Sequence, residues 1–572
     1  MRTCRCPLIF VFASGLAACG GGTTGPGPNP NVLLPPAEAC ASIAPTVLAV
    51  GQHLIVDPSA SSGCLKLPAA GAAGAEYLMV LASGSGQRTT TGVQGGYFLR
   101  AATTAAVTSS EGVMGPAAAP LVSVARPSFA QEFDARLRDR ERELAALPGS
   151  RIAPLTAPAV AAAPPLVGDV KSFKVCSNLG CTSFANVSAT ARFVGAHAAI
   201  YVDNDVPPND PLQPADFAEL GTAFDTYHYP IDTTAFGRES DLDNNQVVII
   251  LMTDAVNALT TDCANGRVVG FFYGGDLLTG PNSNRAEVFY TIVPAPPTPN
   301  CSVVTRRLAV DNLKPTLIHE FQHMISFNQH VLVRSGSSEE TWLNEGFSHF
   351  AEELGGRLIP NAECTPAFTS CRSQYTSGNI LNSYDYFKNP ESFFLVGPSS
   401  SNGTLQERGA SWHFLRWVLD QYASDSILAT ATSRAMVATN QTGVANVQAA
   451  TGASFATMVP QWLMASYLDD GNDLPEEATG RLRLKSWGLR AIWTNPANQK
   501  VNNGPFEGFP LLPETISGVF SRSGVLRGGS GRHFRVTQPS NGPVLNIHVV
   551  KNSSGDPLDA AVVARYGIVR IR

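Results

Sequence analysis

The chain has 572 residues, a formal net charge of -6, only 15% charged residues, and 51 Gly and 41 Pro. No dense Lys/Arg block occurs, so a nucleic-acid partner has no electrostatic support. The length exceeds what one hydrophobic core serves and predicts several turn-rich domains.

Residues 1–18 carry Arg2 and Arg5 before the apolar run Leu8-Ile9-Phe10-Val11-Phe12 and then small residues, the profile of an export signal too short to span a bilayer. Removing the two arginines takes the formal charge from -6 to -8. Leu16-Ala17-Ala18-Cys19 resembles the bacterial lipobox, which implies lipidation of Cys19, and Gly20 behind it implies the outer membrane or cell surface. The alternative is an ordinary signal that leaves the protein secreted. Residues 19–36, with Gly20-Gly21-Gly22 and Pro26-Gly27-Pro28, read as a tether. No later apolar run is long enough to cross a bilayer.

Of eleven cysteines, Cys4 and Cys6 leave with the signal and Cys19 takes lipid. The eight that remain in an exported chain predict disulfides. Proximity in sequence pairs Cys40 with Cys64, Cys176 with Cys181, Cys263 with Cys301, and Cys364 with Cys371, among the 105 pairings eight cysteines allow.

Residues 37–125 alternate short apolar runs with Gly/Ser/Thr turns and predict a small β domain. In 126–165, Phe129, Phe133, Leu137 and Leu144 mark one face of a helix whose Arg/Glu run reads as a solvated surface, followed by an Ala/Pro linker. From 166 to about 490, strands and then helices predict an α+β domain, and 491–572 a C-terminal β domain. Asp241-Leu242-Asp243-Asn244-Asn245 resembles the opening of a Ca²⁺ loop. Gln246 and Met252 stand where the Gly and bidentate Glu belong, which weighs toward a plain turn. Ala286–Val293 is the last strand before the motif below.

Leu317-Ile318-His319-Glu320-Phe321-Gln322-His323-Met324-Ile325 places two histidines four apart in an apolar run with helical spacing. On one helix face they can bring two imidazole nitrogens to within about 2.0–2.1 Å of one Zn²⁺. Glu320 beside them is placed to take a proton from water. A second predicted helix, from Trp342 to Glu353, puts Glu345 near its start, and Ser335-Gly336-Ser337-Ser338 reverses the chain so that Glu345 can come over the histidines as a third ligand. The alternative is a buried structural helix with two satisfied histidines.

The His319-Glu320-Phe321-Gln322-His323 and Trp342-Leu343-Asn344-Glu345-Gly346-Phe347-Ser348 strings resemble the gluzincin metallopeptidases, most closely the hyicolysin family of secreted bacterial zinc peptidases. The resemblance covers roughly residues 170–480, strongly only at 317–354. It implies a domain with a β-rich N-terminal lobe and a helical C-terminal lobe, His319, His323 and Glu345 as zinc ligands, Glu320 as catalytic base, and protein or peptide substrates. It also implies that Ala286–Val293 is the sheet edge that holds extended substrate, against the alternative of a plain core strand. The exopeptidase signature of the zinc aminopeptidases is absent, which favours an endopeptidase. Their oxyanion tyrosine falls at Gln406 in Gln406-Glu407-Arg408-Gly409-Ala410, so the expected donors become Tyr384 or Tyr386, in what reads as a turn-rich stretch, with His413 behind them. A competing reading is a surface binding protein or adhesin with a non-catalytic zinc helix. A serine hydrolase lacks its Gly-x-Ser-x-Gly elbow.

Overall fold

The computed structural model describes residues 33–104, 129–150, 163–206, 209–366, 368–399, 403–471 and 480–572. The signal, Cys19 and most of the tether lie outside the described residues. Among those described, no helix is long and apolar enough to cross a membrane.

The first four strands are β1 (His53–Val56), β2 (Cys64–Leu67), β3 (Ala75–Ser83) and β4 (Gln94–Thr103). A central sheet follows, from β5 (Val170–Cys176), β6 (Phe184–Val194), β7 (Ala198–Asp203), β8 (Val248–Met252), β9 (Gly270–Phe272) and β10 (Val288–Thr291). The last five are β11 (Glu514–Ile516), β12 (Phe520–Arg527), β13 (Gly531–Gln538), β14 (Leu545–Val550) and β15 (Ala564–Arg570).

The two outer β regions, expected as separate domains, form one sandwich. One sheet has the order β1-β15-β3-β13-β11 and the other β12-β4-β14-β2. The two regions interleave, β3 pairing with β13 and β15 and β4 with β12 and β14. β3 shows why: all nine of its residues are buried. Tyr77, Met79 and Leu81 face the sandwich interior, while Leu78, Val80 and Ala82 face the main core.

The central sheet runs β5-β6-β7-β8-β10-β9, with β7, β8 and β10 parallel. Val248-Ile249-Ile250-Leu251-Met252 and Val288-Phe289-Tyr290-Thr291 are buried throughout, as strands covered on both faces must be. The edge strands are therefore β5 and β9, and the expectation that Ala286–Val293 forms the edge is corrected: β10 lies inside, between β8 and the edge strand β9.

Eight helices frame the site: α1 (Phe129–Ala146), α2 (Pro214–Ala223), α3 (Tyr229–Phe236), α4 (Arg306–Phe327), α5 (Thr341–Leu358), α6 (Cys371–Phe387), α7 (Leu405–Tyr422) and α8 (Phe455–Leu468). α4 lies along one face of the central sheet and α1 along the other, where Phe133 and Leu137 join its core. α5, α6 and α7 make the helical wall, and α8 packs it against β3 and β15. Disulfides join Cys40–Cys64, Cys176–Cys181, Cys263–Cys301 and Cys364–Cys371, the four pairs that proximity selects.

Candidate metal centre

α4 starts at Thr305, whose hydroxyl accepts from the Leu308 amide. Its interior Pro315 cannot donate to the Asp311 carbonyl. Gln374 Nε2 of α6 donates to that carbonyl instead, at 3.3 Å, so the helix carries on through the motif. Beyond Phe327 the chain continues in wider turns to Val333, then reverses into α5.

α5 approaches α7 closely at Gly346, where a Cβ would stand 3.2 Å from the Ser411 carbonyl oxygen. The glycine next to Glu345 thus sits in a tight approach of α5 to α7, where a side chain would have to push against Ser411. His319 Nε2 lies 3.6 Å from Glu345 Oε2, and His323 Nε2 lies 3.5 Å from Glu345 Oε1. Ligand atoms at about 2.0–2.1 Å from a tetrahedral zinc stand about 3.4 Å apart, so each of these two separations is close to one edge of such a site. Glu345 Oε1 is buried and without a hydrogen-bond partner, the state of an oxygen meant for an ion. Two imidazoles and one carboxylate are also the donor set of catalytic zinc sites, so the residues present fit the metal.

Around these three lies a network that local sequence reading missed. Glu352, seven residues past Glu345, accepts from His319 Nδ1 at 2.7 Å and lies 3.1 Å from His349 Nδ1. It fixes the His319 ring with Nε2 inward. Arg408 on α7 donates to Glu345 Oε2 at 2.9 Å. The helix is brought there by Gly409, whose Cβ would collide with the backbone of Asn382 and Ser383 on α6. His349 Nε2 sits 4.0 Å from Glu345 Oε2 and has no hydrogen-bond partner. The Arg408 signal was present in the Gln406–Ala410 string, two residues past the one compared with tyrosine.

The electrostatics follow from burial and these partners. Burial raises the Glu320 carboxyl to about 7 against the opposing pull of His319 and Arg138. Burial and the Arg138 charge lower His323 to about 4. Burial opposes the charge on Glu345, but Arg408 with His319 and His323 holds its carboxyl well below the usual range. His319, despite burial, is raised by Glu345 and Glu352.

Glu320 Oε2 accepts from the Phe272 amide of the edge strand β9 at 3.0 Å. The carboxylate therefore reaches from the motif helix to the edge strand.

The expected oxyanion donors sit elsewhere. Tyr384 and Tyr386 are on α6, a helix capped at Ser370, and both are buried. Tyr384 accepts from the Glu507 amide at 2.8 Å and packs on Trp493 and Phe506. Tyr386 stacks on Trp462, and His413 Nδ1 accepts from Trp462 Nε1 at 2.8 Å. An aromatic cluster holds all three, and polar letters around Tyr384 mimicked a loop where they mark a helix surface. At Asp241–Asn245 the chain makes a turn closed by two of its own side chains and one from next to β10: Asp241 accepts from Gln246 N, Asp243 from Asn245 N, and Glu287 from Leu242 N.

The charged helix α1 is not the solvated surface its composition suggests. Arg138 and Glu141 are 3% and 1% exposed, buried over the site. Arg138 pairs with Glu141 at 2.9 Å and donates to the Phe272 carbonyl at 2.8 Å. Asp134 accepts from Arg408 at 2.6 Å.

No family model matches the chain. Over 190 residues, 33% of its length, it is 29% identical to a curated relative, the neutral metalloprotease ShpI of Staphylococcus hyicus. The match spans 40% of that relative, so the likeness concerns a part of each protein.

Proposed function

We propose that the chain is a zinc-dependent endopeptidase, with His319, His323 and Glu345 as metal ligands and Glu320 as general base. The observation that carries this reading is the pair of imidazole nitrogens at 3.5 and 3.6 Å from the two oxygens of one buried carboxylate. The similarity to a protein named a metalloprotease supports the same class. Zinc in this site would supply Lewis-acid polarisation of the scissile carbonyl and acidify a water molecule.

The remaining chemistry belongs to the chain. Glu320, with its carboxyl raised to about 7, can take the proton of the attacking water and hand it to the departing amine. Arg408 keeps Glu345 ionised, and Glu352 keeps the His319 ring oriented. His349 Nε2 and Arg408 are the non-ligand donors nearest Glu345, and they replace the tyrosines as candidates to stabilise the oxyanion. β9, through its Phe272 and Gly270 backbone, offers the edge on which extended substrate would add as a strand. Export and attachment through a lipidated Cys19 belong to the same proposal and rest on the lipobox-like string alone.

The test separates binding from chemistry. Glu320→Gln should keep about one zinc per chain and lose nearly all activity on casein, whereas His323→Ala should lose both. Full activity in Glu320→Gln rejects the mechanism.

A further inference from the structure

A recess beside Glu345 takes no part in the reaction proposed above, and its lining joins segments far apart in sequence. Trp342 and Glu345 come from the start of α5, Glu407 and Arg408 from the start of α7, and Arg88 from the turn between β3 and β4 of the sandwich. Arg88 and Pro398 on its rim are partly exposed, so the recess reaches the surface. About 30 Å³ is enclosed, room for a group the size of a carboxylate and too little for an aromatic ring.

The backbone holds Arg88 in place. Ahead of it the Gly84 amide donates to the Val563 carbonyl at 3.0 Å, and just past it the Thr89 carbonyl accepts from the Ser399 amide at 2.7 Å. Gly86 and Gly92 let the turn lie close on its neighbours: a Cβ there would stand 2.6 Å from Val444 and 2.7 Å from Phe394.

Four charged side chains line the recess, and three are committed elsewhere. Glu345 accepts from Arg408 and faces the two histidines. Glu407 accepts from the Phe394 and Thr404 amides, both at 2.8 Å. Arg408 gives its terminal nitrogens to Glu345 at 2.9 Å and Asp134 at 2.6 Å, which leaves its buried Nε without a partner. Arg88 makes no hydrogen bond or ion pair among the described residues. From outside the recess Glu340 and Asp139 attract its charge and Arg142 opposes them, but Glu340 accepts from Trp342 Nε1 at 2.9 Å and Asp139 pairs with Arg142. Apart from Glu345 Oε1, which belongs to the metal site, the unsatisfied groups of the recess are therefore cationic N–H donors. Their natural complement is an anion with two oxygen acceptors, which a planar guanidinium can meet together.

We propose that this recess is a specificity pocket for a substrate carboxylate, either an acidic side chain close to the scissile bond or the substrate's C-terminus, and that Arg88 selects it. This rests on the zinc reading above. Glu345 lines both the recess and the metal site, so the residue held here is a near neighbour of the bond that is cut.

The test uses the full-length zinc-loaded chain and a peptide library of mixed sequence, with the cut sites read by mass spectrometry. Asp or Glu, or a free C-terminus, should be enriched at one position near the cut. Matched peptides with Asp or Asn at that position should differ about tenfold in kcat/KM, the low end for a hydrogen bond to a charged group because Arg88 is partly exposed. Arg88→Gln should bring the Asp-to-Asn ratio close to one. Arg88→Glu should reverse the preference in favour of Lys, which a merely structural role for Arg88 would not produce. Amidated peptides separate the two sources: a ratio that survives amidation places a side chain in the recess, and cleavage that needs the free terminus places the C-terminal carboxylate there. If the library shows no preference for a carboxylate, or the ratio is the same in wild type and both variants, the pocket is rejected while the zinc site stands. If wild type binds no zinc and cuts no peptide, both fall.

Discussion

Replacing Glu352 tests whether the structure has found the group that aims the metal ligands. Its carboxylate bridges two imidazoles, 2.7 Å from His319 Nδ1 and 3.1 Å from His349 Nδ1, and its side chain is 13% exposed, so solvent screens it little. Partners of this kind are worth about 10–100-fold in metal affinity or activity, roughly 1.4–2.7 kcal/mol. Glu352→Gln can keep an acceptor for His319 while losing the charge and the acceptor that faces His349, so it belongs near the lower end. Glu352→Ala frees the His319 ring to rotate and belongs near the upper end. Competition with a chromophoric chelator gives the zinc affinity of each variant, circular dichroism verifies the fold, and casein hydrolysis follows activity. An Ala variant that keeps zinc affinity within about threefold of wild type would refute the claim that Glu352 orients the ligand.

Chelation should abolish activity, and added Zn²⁺ should restore it with the fold intact throughout, as read by circular dichroism. Gly346→Val should lower stability by about 1–3 kcal/mol in denaturant titration, because the side chain must push α5 away from Ser411. Replacing Cys263 and Cys301 by Ser opens a loop with a sequence separation of 38 and should cost about 4 kcal/mol in the chain-entropy account, read as a lower unfolding midpoint. Asp276 is fully buried, and burial lifts its carboxyl from 3.8 to about 7 against the hydrogen bonds from Tyr290 and Asn284. Its folded pKa is above the unfolded one, so its stabilising contribution is complete below about 3.8 and is lost as pH climbs to about 7; Asp276→Asn should therefore make the fall in stability over that window shallower by roughly 1–3 kcal/mol.

What could be read in the sequence was chemistry carried by short spacing. His319, Glu320 and His323 share one helix, and the roles proposed for them rest on a period of 3.6 residues. The disulfides were legible because each joins cysteines close in the chain, at separations of 24, 5, 38 and 7. Glu345 needed only one chain reversal. For groups brought in from further away the local string names the residue, as Gln406–Ala410 names Arg408, but not its partner. Arg408 reaches Glu345 across 63 positions, and what decides its arrival is the small size of Gly346 and Gly409, seen only once α5, α6 and α7 are packed. The sandwich escaped for the same reason. Hydrophobic alternation tells which face of a strand is buried, never which strand lies beside it, and β3 pairs with β13 and β15 more than four hundred residues on.

The misreading of α1 has a different origin. A run such as Arg138-Asp139-Arg140-Glu141-Arg142 looks solvated because burying a charge costs several kcal/mol unless partners are supplied, and a sequence window contains only the partners on its own helix. Here the site supplies the rest: the Phe272 carbonyl for Arg138, the Gly274 amide for Glu141, and Arg408 for Asp134. Each of those groups also bears on the proposed reaction, as the substrate edge or as the residue that holds Glu345 ionised. A helix that recovers its desolvation cost from the site's own polar groups is buried only while it stays there. The buried charges of α1 therefore depend on these partners, since removing one member of a buried pair costs about 3–5 kcal/mol.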